Sequence, residues 1–343
     1  MGMRNPRHFM SLILLRFNRI PQLKLLRQMS GSKPVFHPNG GILLSKPNKG
    51  LEHKEDEDLE YGDLIEYFIS LLHKRPIFHY ASLGNNTPIL RIVMHPSGRF
   101  FFMGCYDIRG THSLVCYHFG ENDTVVTHTI LSGHRDSVYA IAVHQNGRFM
   151  VSASSDNQGI LWEISANGAR ISDVINFDFC MCVLCLEFHP EEMILAAGGL
   201  CSDVTLWQIE PIGLGLNQIS SLVGHSSYVH DVKILKERLV TASADNTIKI
   251  WGTSPDFREN VCLITLPAHR DRVLSLCLLP KRRIMVSASK DEELIVWWLS
   301  DDNSSATQIQ VLEGHPSGVE DVVFDPSGRQ LVSTGSNVLL VWE

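Results

Sequence analysis

Histidine, a hydroxyl residue and aspartate recur together three times in this chain, as His134, Ser152 and Asp156, as His225, Thr241 and Asp245, and as His269, Ser287 and Asp291. One such trio could be the base, nucleophile and orienting acid of a hydrolase. Three at closely matching intervals point elsewhere, because catalysis needs one constellation with an oxyanion hole and a cleft. The chain also has no Gly-x-Ser-x-Gly elbow, no phosphate-binding glycine loop and no His-Glu-x-x-His segment. The trios therefore read as structure, and the chain is not expected to be an enzyme.

The elements that must position these residues announce themselves by period. Trp162, Trp207, Trp251, Trp297 and Trp342 stand 45, 44, 46 and 45 residues apart, and Tyr117 precedes Trp162 by 45. A period of 40 to 50 residues signals a repeat architecture. A turn signature keeps the same register: His95-Pro96-Ser97-Gly98, His144-Gln145-Asn146-Gly147, His189-Pro190-Glu191-Glu192, Leu279-Pro280-Lys281-Arg282 and Asp325-Pro326-Ser327-Gly328. The turn skipped by this series falls at Leu235-Lys236-Glu237-Arg238, which lacks Pro and Gly. Proline presets φ and glycine permits positive φ, so both mark tight turns.

Between these markers lie runs of four to six residues rich in β-branched and aromatic side chains, such as 138–143, 149–153 and 159–162, with a fourth such as 261–266. Four short strands per repeat, repeated radially, describe the blades of a β-propeller, an all-β ring that leaves only short protected edges.

With these residues in view the chain resembles the WD-repeat β-propeller family across roughly residues 21–343. The family's small-residue-plus-His dipeptide stands at Gly133-His134, Gly224-His225, Ala268-His269 and Gly314-His315, with Val138, Val229, Val273 and Val319 four residues after each His. Asp156, Asp245 and Asp291 precede a Trp by six residues, although the terminal Trp-Asp dipeptide is replaced by Trp162-Glu163, Trp207-Gln208, Trp251-Gly252, Trp297-Trp298 and Trp342-Glu343. The resemblance implies hydrogen-bonded sets inside three blades: His134, Ser152, Asp156 and Trp162; His225, Thr241, Asp245 and Trp251; His269, Ser287, Asp291 and Trp297. Ser154, Ser243 and Ser289, two residues on, face the same way and compete for the hydroxyl role. Indole only donates, carboxylate only accepts, and hydroxyl and neutral imidazole do both, so such a chain can satisfy every buried polar group.

Other blades depart from the pattern. The Trp207 repeat has lost the His and the turn Asp, with Cys201 six residues before the Trp, and the last repeat keeps His315 and Trp342 with Asn337 near the Asp position. Six repeats are plain, from Tyr117 to Trp342. A degraded first one reads as strand, turn and strand over 36–45, a third strand at 64–67 with Tyr67 in the Trp place, and a fourth at 77–82; the competing reading of 59–73 is an amphipathic helix. Seven blades are expected. The last blade then has three strands, and Leu23-Lys24-Leu25-Leu26 is the candidate latch for its open edge; under the helix reading, 77–83 would latch a six-bladed ring instead.

Composition suits a single large domain: 343 residues, 44% hydrophobic, net charge −7. The charge argues against a nucleic-acid-binding face, and no apolar run approaches the ~18 residues that span a membrane. The 8 cysteines sit mostly in strand patterns and read as reduced core residues; Cys180, Cys182 and Cys185 lack the spacing and the fourth ligand of a metal site. No metal or cofactor is expected. Residues 1–20 form a basic tail, acid-free up to Glu52. Cytoplasmic or nuclear residence is the first expectation, with a mitochondrial presequence in residues 1–30 as the alternative. Glu52 to Glu60 reads as a solvated acidic loop.

The resemblance places partner binding on the loops at one end of the ring. Arg135, Tyr228, Arg270, Arg272 and Lys290 would form a basic-aromatic arc suited to an acidic or phosphorylated protein segment. The expected role is a non-catalytic interaction scaffold, itself a monomer within a multiprotein complex. Its versions are a substrate receptor of a cullin-type ubiquitin ligase, which the absence of a Trp-Asp-x-Arg box weakens, or a protein-bound subunit of an RNA-processing or chromatin complex. A propeller hydrolase is the remote third class.

Overall fold

The computed structural model describes residues 25–30, 32–36, 41–45, 68–70, 89–105, 114–119, 125–165, 168–175, 182–210, 216–236, 238–335 and 338–343. Six four-stranded antiparallel sheets form the blades of a β-propeller. Each is named here for the aromatic residue on its third strand. The Tyr117 sheet comprises Ile89–Met94, Phe100–Cys105, Leu114–Phe119 and Val125–Ile130. The Trp162 sheet follows with Val138–Val143, Phe149–Ser154, Gly159–Ser165 and Gly168–Ile175. The Trp207 sheet has Val183–Phe188, Ile194–Gly199, Val204–Ile209 and Leu216–Leu222. Then come the Trp251 sheet, Val229–Leu235, Arg238–Ser243, Thr247–Thr253 and Asn260–Pro267, and the Trp297 sheet, Val273–Leu279, Ile284–Ser289, Leu294–Leu299 and Ala306–Leu312.

The Trp342 sheet has three strands of its own, Asp321–Phe324, Leu331–Gly335 and Val338–Trp342. Its outer place is taken by Leu25–Ser30, antiparallel to Val338–Trp342 with Gln28 opposite Leu340. The latch includes Leu25 and Leu26 of the expected segment and runs on to Ser30, satisfying the outward N–H and C=O groups of the edge; positions 23 and 24 lie outside the described residues. The alternative latch at 77–83 is not the one used at this edge.

A three-stranded sheet, Ser32–Phe36, Gly41–Ser45 and Phe68–Ser70, comes directly after the latch in the chain. Its first strand lies beside Ile89–Met94 on one side and beside the Trp342 sheet on the other. Phe68–Ser70 pairs with Gly41–Leu43, so that part of 59–73 is strand and not helix. The expected third strand at 64–67 and fourth at 77–82 lie outside the described residues.

The first strands of successive sheets stand side by side and form the inner ring. Cores sit between blades. Ala140, Leu161, Leu186 and Leu195 share one cluster between the Trp162 and Trp207 sheets, and Ile250, Leu276, Met285 and Ile295 share another between the Trp251 and Trp297 sheets. Each side chain fully buried there contributes roughly 1.5–3 kcal/mol relative to exposure. The sequence turns close where the Pro and Gly signals fall: Gly98, Gly147 and Gly328 adopt φ of 68°, 69° and 65° and donate their N–H to His95, His144 and Asp325. A register shift recurs immediately before Trp162, Trp207, Trp251 and Trp297, a bulge that adds twist beside each indole. Among the described residues no helix is long and apolar enough to cross a membrane.

Near the inner ring, charged residues tie blades together in a way the sequence did not reveal. Asp231 accepts the Leu276 N–H of the next sheet at 2.8 Å. Lys233 reaches Asp231 at 2.9 Å and Glu187 of the preceding sheet at 3.7 Å, and Ser275 donates to Asp321 of the following sheet at 2.8 Å. Burial opposes the Lys233 charge, but Asp231 and Glu187 outweigh it and raise its pKa.

Deleting residues 1–30 is expected to lower the melting temperature and to cause concentration-dependent association, read by calorimetry and light scattering. A variant that melts like the intact chain and stays monomeric would show that the Leu25–Ser30 pairing does not close the ring.

Candidate functional site

The residues proposed from the resemblance meet inside the blades at hydrogen-bond distance. In the Trp162 sheet the indole Nε1–H donates to Ser152 Oγ at 2.8 Å, Ser152 lies 2.7 Å from His134 Nε2, and His134 Nδ1 lies 3.1 Å from Asp156 Oδ2. The Trp251 sheet repeats this with Thr241 at 2.9 Å from the indole and 2.6 Å from His225, and Asp245 at 2.7 Å from His225. In the Trp297 sheet the distances are 3.0, 2.8 and 3.0 Å through Ser287, His269 and Asp291.

Donor logic fixes the direction of these chains. The indole can only donate, so the hydroxyl accepts from it and gives its own proton to imidazole Nε2; Nδ1–H then donates to the carboxylate. Burial lowers the His225 and His269 pKa despite the opposing pull of Asp245 and Asp291, which favours the neutral ring at both. For Asp245 burial works toward a higher pKa, but hydrogen bonds from Thr247, His225 and the Ser226 N–H outweigh it and hold the carboxyl at about 2. Asp156 and Asp291 are likewise lowered against burial, by His134 and the Arg135 N–H and by the Arg270 N–H and His269.

The order aspartate, imidazole, hydroxyl is that of a catalytic triad, yet the surroundings differ. Ser152, Thr241 and Ser287 are 0% exposed, and each oxygen already accepts an indole proton. A nucleophile needs a path for the substrate; these hydroxyls are sealed in the blade interior, with one lone pair held by the indole N–H.

Ser154, Ser243 and Ser289 do a different job. Each donates to the carbonyl of the loop after the histidine, at Asp136, Ser227 and Asp271, and accepts the N–H of its turn aspartate. The Trp342 sheet carries a shortened set that the sequence reading left incomplete: Trp342 donates to Ser333 at 2.8 Å and His315 Nε2 lies 2.7 Å from the same oxygen. The interval of 18 residues from His315 to Ser333 equals that from His134 to Ser152 and from His269 to Ser287, and was the available signal. Burial pushes His315 down to about 4; Asn337 lies outside the described residues. In the Trp207 sheet, which has no such histidine, the indole donates to Thr205 two residues back on its own strand at 2.9 Å. Tyr117, in the Trp place, is buried and stacks on Phe101 at 5.0 Å.

The turn aspartates also shape the loops above them. The carboxylates of Asp156, Asp245 and Asp291 accept the backbone N–H of Arg135, Ser226 and Arg270 at 2.8, 3.0 and 2.9 Å. The loop backbone is thereby held while its side chains point out. Arg135, Arg270, Arg272 and Lys290 are exposed, and Tyr228 is 44% exposed. The Lys290 N–H donates to the Arg272 carbonyl at 3.0 Å, which brings those two loops together. Arg270 is 86% exposed at its side chain, with Glu293 at 3.9 Å. Among the described residues no group of three His, Cys, Asp or Glu side chains could hold a metal ion.

The family model described as WD domain, G-beta repeat matches residues 125–163, 216–252, 260–297 and 306–343. These stretches end at or just beyond Trp162, Trp251, Trp297 and Trp342, the four indoles whose proton goes to a hydroxyl shared with a histidine. The chain belongs to the WD-repeat family. Among curated proteins this WD-repeat chain is 32% identical over 165 residues to Pre-mRNA-processing factor 19 of Oryza sativa subsp. japonica, covering 47% of this chain and 30% of that protein. It is 29% identical over 227 residues to Guanine nucleotide-binding protein subunit beta of Solanum tuberosum, covering 64% and 58%, and 28% identical over 228 residues to the subunit of the same name from Oryza sativa subsp. japonica. The chain thus spans less than two thirds of the length of these relatives.

His269→Ala is expected to cost about 1–3 kcal/mol in urea melts by leaving Ser287 and Asp291 without their buried partner. An unchanged midpoint would show the set to be dispensable. The depressed Asp245 carboxyl contributes stability above its unfolded pKa of ~3.9 that disappears as pH falls toward about 2. Asp245→Asn should flatten acid unfolding in that window, and an acid limb identical to that of the wild-type chain would contradict the assignment.

Proposed function

We propose that this protein is a non-catalytic interaction scaffold whose partner docks on the loops that follow the buried histidines. The observation that carries the reading is a division of labour. The His134, His225 and His269 side chains are 0% exposed, whereas the neighbouring Arg135, Tyr228, Arg270, Arg272 and Lys290 stand outside on loops whose backbone those sets hold. Arginine and tyrosine carry interface energy disproportionately, and arginines pair well with carboxylate or phosphate. The partner is accordingly an acidic or phosphorylated protein segment.

We further propose that the ring has seven blades. The three-stranded sheet of Ser32–Phe36, Gly41–Ser45 and Phe68–Ser70, between the Tyr117 and Trp342 sheets, supports this. An experimental density map viewed down the ring would count them, and six blades would overturn it. Among scaffold roles, similarity to a protein named as a pre-mRNA-processing factor favours a protein-bound subunit of an RNA-processing complex over a ligase receptor.

Charge reversal is the direct test. The chain tagged in cells, beside Arg270→Glu/Arg272→Glu, should recover a defined complex that the double variant loses while melting like the parent. Equal recovery by both forms would make the arc passive and remove this face from the proposal.

A further inference from the structure

The opposite end of the inner strands carries a second row of histidines. His95, His144 and His189 begin the turns after Ile89–Met94, Val138–Val143 and Val183–Phe188, and are 7%, 4% and 4% exposed. In each, Nδ1 accepts peptide N–H from its own turn: Ser97 onto His95 at 3.1 Å, Asn146 onto His144 at 3.2 Å, and Glu191 and Glu192 onto His189 at 3.2 and 2.8 Å. A nitrogen that accepts from a peptide carries no proton, so the proton resides on Nε2. For His95 and His144 that Nε2–H donates across the blade junction to a carbonyl in the turn of the next sheet, Gly147 at 2.8 Å and Glu192 at 3.3 Å, and the Lys236 backbone faces His189 across the third junction. Gly147 is required for this approach, since a Cβ there would lie 2.8 Å from the His95 ring.

The later junctions are built differently. Leu235 and Leu279 occupy the corresponding places, and Leu279 packs against Gly328 of the following turn, where a Cβ would come within 2.7 Å of it. One side of the rim is stapled by neutral imidazoles and the other by leucine.

We propose that the His95 and His189 contacts form an acid-operated hinge, which loosens the junctions between the Tyr117 and Trp162 sheets and between the Trp207 and Trp251 sheets while the leucine junctions stay closed. A second proton must go to Nδ1, where it would face the peptide N–H that Nδ1 now accepts. Protonation therefore breaks the bond from the peptide N–H and leaves a charge in a buried junction; at His95 the Ser97 hydroxyl, 2.7 Å from Nδ1, can accept the new N–H but cannot neutralise the charge. Burial already lowers the His95 and His189 pKa.

The surrounding charges do not cancel this. His95 faces Arg99 of its own turn, Arg148 beside Gly147, and, across Phe100, His118. His144 faces Arg148 of its own turn and, opposite, His189, Glu191 and Glu192. His189 has Glu191 and Glu192 in its own turn, Lys236 across the junction, and the Phe257 loop with Asp256 and Arg258. The two glutamates favour protonated His189, but burial outweighs them. At His95 and His189 the opened junction binds protons more readily than the closed one, so their closure is complete above a pH of about 6.5 and weakens as pH falls below it.

Hydrogen exchange of the full chain at pH 7.5 and 5.5, expressed as protection factors, tests this with an internal control. Segments 95–100 and 189–194 should lose protection by up to about tenfold per histidine at pH 5.5, while 284–289, beside the Leu279 junction, holds. His95→Gln/His189→Gln keeps a side-chain N–H donor without titrating and should abolish the difference. Should that variant not fold, nitrogen NMR of the wild-type rings decides: both must be Nε2–H at pH 7.5. Parallel loss at histidine and leucine junctions, or an Nδ1–H tautomer, overturns the hinge.

Discussion

An indole N–H buried in a β-sheet has no option but to donate, and in four blades of this protein the acceptor is a hydroxyl on the neighbouring strand. Once Ser152, Thr241, Ser287 or Ser333 accepts that proton, its own proton must go elsewhere, and a buried imidazole receives it. The imidazole's remaining proton then calls for a carboxylate at the loop, and in three blades it finds one. Each step follows from the one before because an orphaned buried donor or acceptor costs about 1–3 kcal/mol. The chain starts in the blade interior and ends at the surface loop, so packing and loop geometry are set by one network.

The two rows of histidine show how environment chooses a tautomer. His134, His225 and His269 give Nδ1–H to carboxylate, whereas His95, His144 and His189 keep Nδ1 bare for a peptide N–H and use Nε2–H to reach the next blade. The first row stabilises within a blade and the second between blades. About six residues of inner strand separate them, roughly 20 Å at 3.3 Å per residue, so the loops proposed for a partner and the rim proposed to respond to acid sit at opposite ends of the inner strands.

Much of the fold could be read from the sequence, because strand alternation, turn residues and the spacing of Trp162 through Trp342 are local signals that recur. The family resemblance supplied the partners of three indoles, and those residues lie at hydrogen-bond distance. What escaped was non-local or unrepeated. Thr205 replaces the missing set of the Trp207 sheet from the same strand, and no repeat pattern marks it. Asp231, Lys233 and Ser275 bond to residues about 45 positions away in neighbouring blades, where side-chain reach, not period, decides. The sequence points to Leu25 and Leu26 in the latch but not to its run on to Ser30, because any short apolar run can pair with an edge. In the sequence His95, His144 and His189 stand out as turn markers only, since their contacts across the blade junctions depend on the closed ring.

The central claim is that indole, hydroxyl and imidazole act as one structural unit, and a double-mutant cycle tests it most directly. Urea unfolding of Ser287→Ala, Trp297→Phe and the pair gives the coupling between hydroxyl and indole, free of the packing each loses alone. The account expects a coupling of about 1 kcal/mol or more. Additive effects, within about 0.3 kcal/mol, would mean that the 3.0 Å contact contributes nothing of its own, and the network would reduce to well-packed but independent side chains.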